Sequence, residues 1–210
     1  MKKIWFAALL IFGMSIQQSQ AQFADKLVPH VGFMYEFSTA FDGNQNVTWN
    51  NYYNLHLGSY VALWHKNDIV SVGIDPSVQV GFRPIRDFST NNLRFDWNVQ
   101  VPVYLMARIG ANATPYNSQK AGFSLGVGAN YSYYNQFNNN FTNRFRSSYI
   151  NPAGVVEVTI LSRGNPITGR FHFGLSKTTS TRQVLNTNGD VLQEVDFPQG
   201  FFGVGLLYGF

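Results

Sequence analysis

Between residues 93 and 109 the chain alternates without a break. Its odd positions read Leu93, Phe95, Trp97, Val99, Val101, Val103, Leu105, Ala107 and Ile109, nine apolar residues of nine. The even positions read Arg94, Asp96, Asn98, Gln100, Pro102, Tyr104, Met106 and Arg108. Alternation at period two puts successive side chains on opposite faces of a strand. A strand this long far exceeds the ~5–6 residues usual in globular proteins. It needs an apolar environment on one face and a polar one on the other along its whole length.

Seven further segments obey the same rule. Val31, Phe33, Tyr35 and Phe37 alternate with His30, Gly32, Met34 and Glu36. Tyr53, Leu55, Leu57, Val61 and Leu63 alternate with Asn54, His56, Gly58 and Tyr60. Val70, Val72, Ile74, Val78, Val80 and Phe82 alternate with Ser71, Gly73, Asp75, Ser77, Gln79, Gly81 and Arg83. Phe123, Leu125, Val127, Ala129, Tyr131 and Tyr133 alternate with Ser124, Gly126, Gly128, Asn130 and Ser132. The apolar set then falls on even positions over 150–160, odd ones over 167–175 and even ones over 202–210. That makes eight strands, with no helical period of useful length.

The links alternate too. Residues 65–68 and 162–165 are short turns, whereas 39–50, 84–92, 138–147 and 178–196 are long and polar. The link 110–120 belongs on the short side but is longer than it should be. Short turns at one end and long loops at the other mark a transmembrane β-barrel. Asparagine, with 21 residues, is concentrated in the loops, where solvated turns tolerate it. The expected fold is therefore all-β, an eight-stranded antiparallel up-and-down transmembrane β-barrel over 22–210.

Residues 1–21 read as a cleaved signal peptide. Lys2 and Lys3 precede an apolar run over 4–14, and Ser19 and Ala21 stand at −3 and −1 of a cleavage site. The apolar run is well short of the ~20 residues of a spanning helix. With no cysteine in the chain, a lipid-anchored N-terminus, disulfides and thiolate metal sites are all excluded. Removing Lys2 and Lys3 from 15 basic residues leaves 13 against 11 acidic ones, and these are scattered, which excludes a nucleic-acid footprint.

Volume decides which face lies inside. An eight-stranded barrel has an interior just wide enough for side chains to fill. The polar face carries Gly32, Gly58, Gly73, Gly81, Gly122, Gly126, Gly128, Gly174, Gly203, Gly205 and Gly209, whereas the apolar face carries Gly154 and Gly169 with bulky Trp97, Phe95, Phe123, Phe171 and Phe173. The polar face is expected to line the lumen. Tyr53, Trp64, Tyr133, Tyr208 and Phe210 near strand ends are expected in interfacial girdles.

The last segment, Phe202, Val204, Leu206, Tyr208 and Phe210, alternates to a C-terminal aromatic. With the eight strands and the signal peptide, the chain resembles the small eight-stranded outer-membrane barrels of the OmpX and OmpA transmembrane-domain type, and the Ala21-Gln22 junction and Asn-rich loops are similar to Bacteroidota proteins. The resemblance implies the cell outer membrane, contact with its lipid and lipopolysaccharide, and reading of the terminal pattern by barrel-assembly machinery.

No catalytic, cofactor-binding or metal motif is found. Of four histidines, His30, His56 and His172 fall on the lumen face and His65 in a turn. The resemblance brings small outer-membrane enzymes into view, but a lipid A deacylase would need a lipid-facing His, a palmitoyltransferase an N-terminal helix and an omptin ten strands. Glu36, Asp75, Asp96 and Glu157 balance Arg83, Arg94, Arg108 and Arg170, four against four, as an ion-pair network plugging the lumen would. A selective pore would show one sign in excess. If Ile160 faces Ile167 across the 162–165 turn, Glu157 faces Arg170. Three functions stay open: a non-enzymatic barrel whose loops 39–50, 84–92, 138–147 and 178–196, with Trp49 and residues 138–141, contact an extracellular protein or glycan; a small low-conductance channel; or a lipid-modifying enzyme.

Overall fold

Each alternating segment forms a strand, because only a strand keeps one side chain in two on the same face. A computed structural model describes residues 26–41, 47–87, 92–137, 144–186 and 188–209. The strands are β1 (Leu27–Phe41), β2 (Val47–Lys66), β3 (Val70–Asp87), β4 (Asn92–Gly110), β5 (Ala121–Phe137), β6 (Arg144–Ser162), β7 (Asn165–Gly174), β8 (Thr178–Leu185), β9 (Val191–Gln199) and β10 (Phe201–Gly209). β1 through β7 pair in chain order, and β10 lies antiparallel between β7 and β1. Eight staves therefore close on themselves, an up-and-down antiparallel transmembrane barrel. The segment 1–21, expected to be a signal peptide, and the terminal Phe210 lie outside the described residues.

Two staves are split. β8 extends β7 and β9 leads into β10, so that β8 and β9 form a hairpin above the barrel. The expected loop 178–196 is thus mostly strand, a correction to the sequence reading. Above the bilayer neither face of a hairpin has to meet lipid, and the apolar alternation that marks the wall disappears. The links expected at 39–50, 84–92 and 138–147 are corrected in the same direction: β1 runs to Phe41, β2 starts at Val47, β3 runs to Asp87, β4 starts at Asn92 and β6 starts at Arg144.

At the opposite end two tight hairpins set the register. Asn67 and Asp68 (φ 50° and 55°) and Arg163 and Gly164 (φ 52° and 88°) are consecutive left-handed pairs. Such turns match the twist of the strands they join. The second aligns Ile160 with Ile167 and Glu157 with Arg170, the expected pairing. In β2 a bulge between Ala62 and Trp64 turns both Leu63 and Trp64 outward.

Exposure separates the two faces. Phe33 and Leu206 are 73% and 67% exposed, whereas Asp75, Asp96, Gln79 and Gln100 are all at 0%. A soluble barrel would be the reverse; an apolar exterior around a polar interior is the surface of a membrane barrel. Lumen glycines make room for large neighbours. A Cβ on Gly73 would lie 2.8 Å from the Tyr60 ring, whereas one on lipid-facing Gly169 meets nothing nearer than 3.8 Å.

The long link 110–120 folds back under the wall. Ala111 and Ala113 are buried, Ser71 Oγ donates to the Ala113 carbonyl (2.6 Å), and the Asn117 amide donates to the Asp68 carbonyl. This link covers the mouth of the barrel on the short-turn side.

Candidate functional site: the charged lumen

The inward residues of β3, β4, β6 and β7 bring four charges together near the short-turn end. Arg170 Nε donates to Glu157 Oε1 (2.7 Å), and its Nη2 contacts Asp75 from across the lumen. Arg108 Nη2 lies 3.3 Å from both Asp75 Oδ2 and Glu157 Oε2. All four side chains are essentially fully buried. Two carboxylates and two guanidiniums thus neutralise one another where water is excluded, the condition under which buried charge is tolerated. Arg108 also sits over the Tyr60 ring, 3.9 Å from its centroid. His30 Nε2 lies 3.4 Å from Asp75 and stacks on His56, which in turn lies 3.3 Å from Arg170 Nη1.

The other four charges of the expected network are not part of this quartet. At the long-loop end Arg83 Nε donates to Asp96 Oδ2 (3.0 Å), while Asp96 Oδ1 accepts from the Phe137 backbone N–H (2.7 Å). Arg94 lies over the Phe137 ring, 5.3 Å from its centroid. Glu36, at mid-lumen, meets no guanidinium among the described residues. Gln100 Nε2 donates to both of its oxygens (2.6 and 2.7 Å), Tyr134 donates to Oε1 (2.8 Å), and His172 Nε2 stands 3.5 Å away. The equal count of charges therefore does not translate into four pairs.

Above Glu36 the lumen is aromatic. Tyr134 stacks on Tyr149 with centroids 5.8 Å apart and meets Tyr52 at 5.4 Å. The sequence reading did not single out Tyr52, Tyr134 or Tyr149, because which inward tyrosines meet depends on the register between strands, and a single strand's alternation does not give it. Met34 and Met106 lie in the lumen as their place on the polar faces led one to expect, and Val155 and Leu207, which the sequence reading did not single out, join them there. They sit on polar faces, where a single apolar residue does not break the pattern.

Among the described residues no group of three His, Asp or Glu side chains is placed to hold a metal ion. His65 pairs with Asp68 (3.3 Å) at an exposed turn, and the other three histidines are buried in the lumen away from the lipid face. Phe202, Val204, Leu206 and Tyr208 of the terminal pattern pair with β1 and β7 and point outward.

No protein-family model matches the chain, and no curated protein does. Solved structures with a similar path are outer-membrane barrels. Ail, the attachment invasion locus protein of Yersinia pestis, solved with the heparin analogue sucrose octasulfate, is 12% identical over 89% of this chain and 99% of its own, with a TM-score of 0.47. The outer membrane protein OprG from Pseudomonas aeruginosa is 12% identical over 91% and 98%, with a TM-score of 0.44. The outer membrane protease OmpT from Escherichia coli is 6% identical over 88% and 94%, with a TM-score of 0.43. These are likenesses of barrel architecture alone.

Proposed function

We propose that this chain is a non-enzymatic outer-membrane barrel with a closed lumen, acting through the strands and links at its long-loop end, which face the cell exterior. Residues 1–21 direct export, and the pattern Phe202, Val204, Leu206, Tyr208 and Phe210 is what assembly machinery reads. The observation that carries the reading is the quartet Asp75, Glu157, Arg108 and Arg170, which spans the lumen from β3 to β7. An ion crossing it would have to displace a matched set of charges, and the 110–120 link covers the mouth below. A barrel so filled serves as a rigid platform, and the strands and links above it carry recognition.

The test is conductance of the purified protein in planar bilayers. The expected result is no steady single-channel current. Regular current steps would overturn the closed-lumen reading. One observation favours a narrow passage instead: among the described residues, both amide atoms of Asn54, Gln79, Asn98 and Asn151 lack a protein partner inside the lumen. Buried amides are normally satisfied, by water where protein does not reach. In that case Arg170→Met would raise the current, because it removes the centre of the quartet.

A further inference from the structure

Around the long-loop end the outward face carries a belt of touching aromatic rings. Phe202 stacks on Phe37 (4.7 Å between centroids), Tyr35 meets Phe37 and Tyr53, and Phe82 meets Tyr53 and Phe95. Trp97 leans on Tyr133 at 5.3 Å. On β6 the outward residues beside Tyr133 are Ser148, Ile150 and Pro152, and the belt stops there.

The wall breaks at the same place. The β6–β7 ladder ends at Ala153 and Gly174, and the β6–β8 ladder resumes at Ser147 and Arg182. Six residue steps on β6 therefore face eight on the other side, and residues 148–152 have no ladder partner there, although the Pro152 carbonyl accepts from the Leu175 backbone N–H (2.9 Å). The excess opens a cleft of about 600 Å³. Its lining includes outward Tyr133, Ser148 and Ile150 together with lumen-side Tyr149, so it runs into the wall rather than lying on it. A cleft this size is within the range of small-molecule sites.

Its lining is polar and rich in hydroxyl groups, with Arg146 and the mutually hydrogen-bonded Gln183 and Glu194 (2.9 Å) beside them. Thr178, Thr179, Ser180 and Thr181 line one side, Ser147 and Ser148 the other. Ser180 is 2% exposed and its Oγ has no hydrogen-bond partner among the described residues, nor has Nε of Arg146 in the same lining. A hydroxyl both donates and accepts, so a row of them suits a ligand of the same dual character. Tyr133, braced by Trp97, offers a ring face for the C–H face of a pyranose. An alkyl ligand would leave Ser180 and Arg146 unsatisfied. We infer that the cleft between β6 and β8 binds a saccharide. It opens beside the aromatic belt, where lipid headgroups lie, so the sugar comes either from a glycolipid of the outer leaflet or from a glycan in solution. This inference rests on the proposal that the long-loop end faces outward.

The test uses the protein purified from membranes and placed in phosphatidylcholine nanodiscs. One arm titrates oligosaccharide released from lipopolysaccharide by mild acid; the other compares nanodiscs with and without intact lipopolysaccharide. Saturable binding is expected in at least one arm, weakened tenfold or more by Ser180→Val and by Arg146→Met and unchanged by Gln193→Ala. Heat-modifiable gel mobility checks that each variant is folded. Binding in the first arm assigns a soluble glycan, and binding only in the second assigns the leaflet. No binding in either arm, or equal binding by every variant, overturns the inference. Sidedness is checked separately by labelling Asn188→Cys on intact cells with an impermeant maleimide. Failure there sinks the orientation without touching the nanodisc result, since both faces of a nanodisc are exposed to the solution.

Discussion

The lumen is polar from end to end, yet its two halves are held by different means. Near the short turns, Asp75 and Glu157 each touch both Arg108 and Arg170, and charge is cancelled by charge. At mid-lumen Glu36 is equally buried, but an amide and a phenol hold it. The first arrangement ties four staves together across the bore; the second ties β1 to β4 and β5 through neutral donors. The same residue type thus does two jobs. In the quartet every member is needed to keep the others tolerable, whereas around Glu36 no charged partner depends on it.

The largest effect is expected where cancellation is densest. Arg170→Met removes the one guanidinium that bridges β7 to both carboxylates, leaving Asp75 and Glu157 to share Arg108. Stranding a buried charge in this way costs ~3–5 kcal/mol. The urea midpoint of folded protein in detergent should fall accordingly. Adding Glu157→Gln should restore part of the loss, and only part, because Asp75 has lost the same partner. A midpoint within error of the parent protein would dissolve the contrast between the two halves.

Arg83→Met should cost less. Arg83 meets Asp96 at the long-loop end, where its side chain is 20% exposed and water reaches it. Asp96 keeps the Phe137 backbone N–H at 2.7 Å after the change. The change removes the donors Nε and Nη2 on Asp96 and Nη1 on Asn50, and with water able to replace part of them near solvent the net loss is expected at ~1.5–3 kcal/mol. If this loss matched that of Arg170→Met, depth in the lumen would not set the energetics.

What the sequence allowed here, and what it did not, follows the same physical line. Which face of each stave points inward was legible, because a lipid exterior and a polar bore enforce alternation residue by residue. Glu157 opposite Arg170 was legible too, since a two-residue turn leaves one register. The contact from Arg170 to Asp75 was not. It crosses the bore between β7 and β3, and its existence depends on barrel width and stagger, which no local pattern encodes. The β8–β9 hairpin escaped notice because above the bilayer nothing imposes an apolar face. The cover formed by 110–120 showed only as excess length, its buried Ala111 and Ala113 being too small to signal a core.

The smallest effect is expected at Glu36, and it is the sharpest test of the comparison. Glu36→Gln removes a charge that no described cation balances. It also replaces one accepting oxygen by an NH₂ facing the Gln100 NH₂, so one hydrogen bond is lost at a cost of ~1 kcal/mol. The paired change Glu36→Gln with Gln100→Glu should recover most of that. The carboxyl then sits on β4, where Asn130 Nδ2 already donates to the residue-100 side chain (2.8 Å), and the amide on β1 becomes its donor. Such a swap works only if the site asks for a carboxyl between neutral donors and is indifferent to which strand supplies it. In the quartet, exchanging Glu157 and Arg170 moves both charges relative to Asp75 and Arg108, and should cost more than the Glu36 swap in the same urea titration. Equal tolerance of the two swaps would mean that charge cancellation does not distinguish the halves.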